Sequence, residues 1–283
     1  MAHCIVPEGE AILDKEFPVL DKGFVRLVDY LGGDERVVQS ARVSYGQGTK
    51  SYREDAGLID YLLRNSHTSP FEQVVFTFHV KLPIFVARQW VRHRTARLNE
   101  VSSRYSVMKD EFYLPALEDI ALQSTDNKQG RSSQALEKEP AEKVRSAFAR
   151  GQKTAYAEYS SLIEEGLARE LARINLPLSL YTEWYWQIDL HNLFHFLKLR
   201  LDAHAQKEIR LYAAVLFEIA KKIAPCCCES FQRHMLEGVH FSGEELAELR
   251  KRLGESAAPG AEKLLSGREL ERFEEKLKSG RQL

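Results

Sequence analysis

The stretch Tyr181-Thr-Glu-Trp-Tyr-Trp-Gln-Ile188 constrains the fold more than any other segment of the chain. Strand side chains alternate between faces, so Thr182, Trp184, Trp186 and Ile188 share one side and Tyr181, Glu183, Tyr185 and Gln187 the other. Val74 to Lys81 (VVFTFHVK) is β-branched and aromatic and reads as a second strand. Pro83 suits the first turn of a helix running from Ile84 to about Arg94. Phe24 to Leu31 reads as a short strand or helix, broken by Gly32-Gly33. Asp34 is placed to cap a helix through about Arg42.

Further helices are expected over Gly57 to Arg64, Pro140 to Gly166, His191 to Leu201 and Ala205 to Ile223. The polar segment Leu122 to Leu136 reads as a loop. The pattern is that of a single mixed α/β (α+β) domain over 17–241, preceded by an N-terminal stub, 1–16. A charged, helical C-terminal extension over 242–283 is interrupted at Ala258-Pro259-Gly260. No internal repeat and no linker divides it.

Hydrophobic residues make up 44% and charged residues 29%, the profile of a soluble globular protein. The net charge of -1 provides no global positive field for nucleic acid or a membrane surface. No basic n-region with an apolar h-region stands at the start, and no run approaches the ~20 apolar residues of a membrane span. The cysteines are Cys4 and the run Cys226, Cys227, Cys228, a poor disulfide framework that fits reduced thiols in the cytoplasm. The run follows Pro225 at a helix start, so these are either buried small apolar groups or, through the helix terminus, a reactive thiol.

Against this even charge, RQWVRHRTARLNEVSSR concentrates Arg88, Arg92, His93, Arg94, Arg97 and Arg104. On a helix reaching Arg94, Arg88 and Arg92 lie one turn apart, as do Gln89 and His93. Guanidinium groups bind phosphate oxygens in bidentate forks, which points to phosphorylated ligands. The plain alternative is a solvated basic helix face. Asn99, Glu100, Ser102 and Ser103 follow at once and favour a ligand site.

Three other chemistries match parts of the sequence less well. His191 and His195 are spaced i, i+4 as in HExxH zinc sites, but Asn192 replaces the general base, so no metal is expected. A nucleic-acid module would use the basic cluster with Trp90 and Tyr105, but no known binding motif accompanies it. No G-x-G-x-x-G follows a strand, so any nicotinamide cofactor binds without that fingerprint.

Arg92-His93-Arg94, then seven residues, then Ser102 resembles the signature of the flavin-dependent thymidylate synthases. His67-Thr-Ser-Pro-Phe-Glu, PIFVARQW, SSRYS, EFYLP, LARINLPLSLYTEW and LRLDAHAQKEIR resemble other blocks of that family, in order, across about Val19 to His240. The resemblance implies a mixed α/β fold, a homotetramer with active sites shared between subunits, and conversion of dUMP to dTMP. Methylenetetrahydrofolate would supply the carbon and NADPH-reduced FAD the hydride, releasing tetrahydrofolate. Carried over, Ser69, Arg92, His93, Arg94, Glu100, Asp189, Leu190, His191 and His195 would contact FAD. Gln89, Trp90, Val91, Arg92, Glu100, Val101, Ser102, Ser103, Arg104, Arg173 and Arg200 would form the dUMP pocket.

The resemblance makes Arg200 the group that favours ionisation of the uracil ring, so that C5 becomes the nucleophile. Ser102 would either attack covalently or hydrogen-bond the phosphate; with no neighbouring base the hydrogen bond is favoured. Asp189-Leu-His191 stands where some members carry Asn-x-Arg, and His195 where some carry Asn. Arg97 takes a place that is a small residue in some members.

Overall fold

The computed structural model describes residues 4–43, 52–125, 128–256, 270–271 and 273–274. The stub's first three residues, Asn127 and Ala258-Pro259-Gly260 of the extension lie outside the described residues.

The alternating stretch of the sequence is strand β7 (Tyr181–Asp189), and its two faces separate as the period requires. The other strands of its sheet are β1 (Glu16–Val19), β2 (Gly23–Leu31), β3 (Val75–Pro83) and β4 (Arg97–Glu100), in the order β1-β2-β3-β7-β4. All neighbours are antiparallel. In the register of β3 on β7, Phe76 faces Ile188, Phe78 faces Trp186, Val80 faces Trp184 and Leu82 faces Thr182. All eight are buried. On the other face His79 stacks on Tyr185 with ring centroids 5.0 Å apart, and Tyr185 is exposed. One side of the sheet is therefore core and the other largely polar.

Helices cover the core side. After α1 (Pro7–Glu10) and the first hairpin come α2 (Asp34–Arg42) and α3 (Tyr52–Arg64). α4 (Ile84–Trp90) follows β3 directly. The long α5 (Lys138–Glu164) leads to α6 (Arg169–Ala172). α7 (Leu190–Arg200) continues from β7, followed by α8 (Lys207–Ile223), α9 (Pro225–Phe231) and α10 (Gly243–Ser256). α8 buries Ile209, Tyr212, Ala213, Leu216, Ala220 and Ile223, a stripe at three- and four-residue spacing. The Tyr212 hydroxyl donates to the Lys81 carbonyl at 2.8 Å, tying α8 to β3. α5 lies over a separate, smaller core of Met108, Phe112, Tyr159, Ala172 and Leu180.

Four expectations are corrected or sharpened. Phe24 to Leu31, strand or helix by sequence, is strand. Gly32, at φ +76°, takes a left-handed turn that glycine permits without strain and that ends it. Asp34 does not cap its own helix, whose N-cap is Gly33. Its carboxylate instead accepts from the amides of Cys226 (2.8 Å) and Cys227 (3.0 Å) and so caps α9.

The third correction concerns the expected loop Leu122 to Leu136, which holds a hairpin of β5 (Ala121–Gln123) and β6 (Arg131–Ala135). Polar side chains pin it: Gln123 donates to the carbonyls of Lys128 and Gly130, and Arg131 to that of Asp119. No apolar alternation was there to reveal it. Finally, all three cysteines at the start of α9 are buried. Burial, with Asp34 beside them, pushes Cys227 and Cys228 far above ordinary thiol values. The reactive-thiol alternative therefore fails there, because burial outweighs the helix terminus.

Candidate functional site

α4 ends at Trp90, four residues short of the expected Arg94. Extending it would stack Arg88 over Arg92, a like-charge pair one turn apart. The chain turns instead into β4, which pairs with β7. Arg92, His93 and Arg94 therefore lie in the turn between helix and strand, and neither Arg88/Arg92 nor Gln89/His93 share a helix face. Consecutive helix residues point about 100° apart, so Arg88 and Gln89 face different surroundings.

Arg88 opens on a cavity of about 600 Å³, lined also by Val91, Glu100, Ser102, Ser103 and Arg173. Val101 is a further wall. β4 delivers this segment: the amide of Val101, just past the strand, donates to the Glu183 carbonyl at 2.9 Å. Arg173, in the 3-10 turn Arg173–Asn175, donates to the Ser103 hydroxyl. Glu100 accepts from the Thr182 hydroxyl at 2.6 Å. The Ser102 hydroxyl accepts from the Arg104 amide at 3.3 Å. Among the described residues no imidazole or carboxylate is hydrogen-bonded to it. Arg104 pairs with Glu170 at 3.2 Å, both exposed. The cavity thus presents cations, hydroxyls and the carboxylates Glu100 and Glu170, the latter paired with Arg104, a surface suited to a phosphorylated polar ligand.

A second cluster forms where Gln89 and His93 meet the end of α7. Arg200 donates through Nε to His93 Nε2 at 3.1 Å and through Nη2 to the Gln89 carbonyl at 3.1 Å. The Gln89 side chain donates to Gln206, just ahead of α8. The His195 ring lies 5.7 Å from that of His93. Burial, then the Arg200 charge, then His195 lower the His93 pKa to about 4. Burial also lowers that of Arg200. A neutral His93 whose Nε2 accepts from Arg200 must carry its proton on Nδ1.

This shift has a consequence for stability. His93 binds a proton near pH 4 when folded and near its ordinary 6.5 when unfolded. Between these values the unfolded chain holds more protons, so stability falls as pH drops from 6.5 towards 4. Urea midpoints measured across that range should fall less steeply in His93→Gln than in the wild type. Parallel profiles would contradict the assignment.

The remaining residues divide clearly. Arg92 and Arg94 are exposed, and among the described residues no carboxylate pairs with either. Asp189 is the N-cap of α7, accepting from the Asn192 amide at 2.9 Å and its side chain at 2.7 Å. His191 is half-buried in the first turn of α7 and His195 is exposed one turn on. Ser69 is exposed in the turn before the short 3-10 segment Phe71–Gln73. Phe71 packs on Phe194 (6.4 Å), which carries that turn beside α7.

Two side chains named by sequence point inward. Trp90 is fully buried among Trp184, Trp186, Phe196 and Tyr212, and Leu190 is fully buried too. Their side chains are core, which leaves only their backbone to face a ligand. Conversely, Thr182 and Gln206 were missed as groups that hold Glu100 and Gln89. A threonine at the mouth of a tryptophan-lined strand face, and a glutamine beside the Arg200 block, were the available signals.

Residues 26–226 match the family described as "Thymidylate synthase complementing protein", and residues 239–283 match "Thymidylate synthase ThyX C-terminal domain". A flavin-dependent thymidylate synthase of Treponema denticola is 67% identical over 96% of this chain and 100% of its own. One of Treponema pallidum is 62% identical over 100% of this chain and 91% of its own. Among solved structures, a UMP/dUMP methylase, PolB from Streptomyces cacaoi, bound with 5-Br dUMP, is similar at TM-score 0.71 and 33% identity. That match covers 79% of this chain and 100% of the other.

Proposed function

Because the chain belongs to the flavin-dependent thymidylate synthase family, we propose that its two clusters are complementary halves of one site, completed between subunits. The reaction is the methylation of dUMP to dTMP. The single observation that carries the shared-site reading is the division of the dUMP-type residues by α4. Ser102, Ser103 and Arg173 lie on one side, Gln89 and Arg200 on the other. The first half suits the phosphate and the second the pyrimidine.

On the phosphate side, Arg173, Arg104 and the hydroxyls of Ser102 and Ser103 bind and orient the anion, with Glu100, Val91 and Val101 shaping the wall. Ser102 serves as a hydrogen-bond donor, since among the described residues no base is bonded to it to make it a nucleophile. On the pyrimidine side, Arg200 favours the anionic ring, and charge gathered at C5 makes that carbon the nucleophile. Two of its N–H groups are spent on His93 and Gln89, which fixes the guanidinium and leaves the others for substrate.

The residues present fit FAD. Arg92 and Arg94 are exposed, with no carboxylate paired to either among the described residues, which suits a diphosphate, and Ser69, His93, Glu100, His195 and the Asp189-Leu190-His191 corner complete the contacts. FAD held there would supply the hydride for the one-carbon unit of methylenetetrahydrofolate, with NADPH as its reductant. We assign the assembly as a homotetramer and its place as the cytoplasm, in keeping with free cysteines and no membrane-spanning helix among the described residues.

Co-expression of Arg200→Ala with Arg173→Ala chains tests the shared site. Each variant alone is inactive, and mixed assemblies regain up to roughly a quarter of wild-type activity, because some sites receive both intact halves. Activity no higher than in the separate variants would rule out a site divided in this way.

A further inference from the structure

The core face of β7 carries Trp184, Trp186 and Ile188, and with them the hydroxyl of Thr182. Thr182 is only 3% exposed and faces Leu82 across the sheet. A buried hydroxyl destabilises unless it is hydrogen-bonded, and valine would fill nearly the same space without that penalty. The hydroxyl donates to Glu100 Oε1 at 2.6 Å. Both residues line the cavity that also holds Arg88, Ser102, Ser103 and Arg173.

Glu100 is an acid among groups read above as binding an anion. It is the last residue of β4 and is exposed, on a long and flexible side chain. Among the described residues no cation pairs with its carboxylate, although Arg88 and Arg173 line the same cavity. Arg173 instead donates to the Ser103 hydroxyl. A carboxylate free to turn would form a charge-assisted pair with a guanidinium there and compete with a phosphate for it. The bond from Thr182 holds the carboxylate against the strand instead. Threonine suits this task, because a β-branched side chain is stiff at χ1 and its hydroxyl keeps one direction.

We propose that Thr182 is a positioning residue for nucleotide binding, which keeps the Glu100 carboxylate off the arginines of the cavity and leaves their charge for the phosphate of dUMP. This rests on the reading of that cavity as the phosphate half of the site.

Titration calorimetry with dUMP on the FAD-loaded, full-length enzyme tests it. Thr182→Val keeps the shape, removes the hydroxyl and binds dUMP about tenfold more weakly, the scale of one hydrogen bond to a charged group. KM for dUMP rises by more than kcat falls, because binding is altered rather than the reacting centre. Thr182→Ser, which restores a hydroxyl, recovers the affinity. In a Glu100→Gln background Thr182→Val has no further effect, since an uncharged amide does not compete for arginine. Wild-type affinity in Thr182→Val, or an equal loss in both backgrounds, would overturn the proposal, the second because Thr182 would then act without Glu100. If Arg173→Ala bound dUMP as tightly as the wild type, the phosphate reading itself would fall and the proposal with it.

Discussion

Arg200→Ala is expected to lower dTMP formation by about 10²- to 10³-fold while FAD stays bound, the loss typical of removing one preorganised charge stabiliser. The side chain is half-buried at the end of α7 and locked by His93 and the Gln89 carbonyl. A truncated side chain leaves the pyrimidine half without its guanidinium, whereas the exposed Arg92 and Arg94 still meet the flavin. Arg200→Lys recovers little, because a single ammonium cannot reproduce the two directed bonds and the remaining fork. His93 supplies a further readout. Arg200 is the second-largest cause of its low pKa, so that value moves up in the variant. Steady-state kinetics, flavin absorbance and a histidine NMR titration together separate this account from simple misfolding. Wild-type turnover in Arg200→Ala would remove the proposed activation of the uracil ring.

Trp90→Ala is expected to destabilise the fold by about 3–5 kcal/mol, the range for emptying a large aromatic from a core. Trp90 is fully buried, with ring centroids 4.8 Å from Phe196 and 5.0 Å from Trp186. It clamps α4, and with it Arg88 and Gln89, against both the sheet and α7. Trp90→Phe costs markedly less, because the indole Nε1 is buried without a hydrogen-bond partner among the described residues and its removal forfeits none of those bonds. Urea denaturation of both variants checks the pair. A loss below about 1 kcal/mol for Trp90→Ala would mean that the residue is not the keystone of the core.

These effects also explain what could be read from the chain in advance. The faces of β7 were legible because two-residue alternation with tryptophan is a strong local signal. The helices α5, α7 and α8 fell within a few residues of expectation for the same kind of reason. The end of α4 was not legible. It depends on β4 finding β7, a contact between residues 97–100 and 184–187 that local spacing cannot reveal. Asp34 was recognised as a capping residue, but its true partner lies 192 residues away at Cys226.

The site shows the same division. Ordered motifs singled out Arg92 to Arg104, Arg173 and Arg200 as ligand residues. Their distribution on two sides of α4 follows from the three-dimensional course of the chain. So does the retreat of Trp90 and Leu190 into the core, since a motif marks a position without saying which way its side chain points.

This chain makes dTMP with a bound flavin. The most direct test is the visible spectrum of the purified protein, loaded with FAD and desalted, then given NADPH without oxygen and finally dUMP with methylenetetrahydrofolate. A retained flavin band, its bleaching by NADPH, and dTMP with tetrahydrofolate as products are expected. A folded protein that retains no flavin and forms no dTMP would contradict this activity, and the arginines of residues 88–104 would then belong to a different phosphorylated ligand.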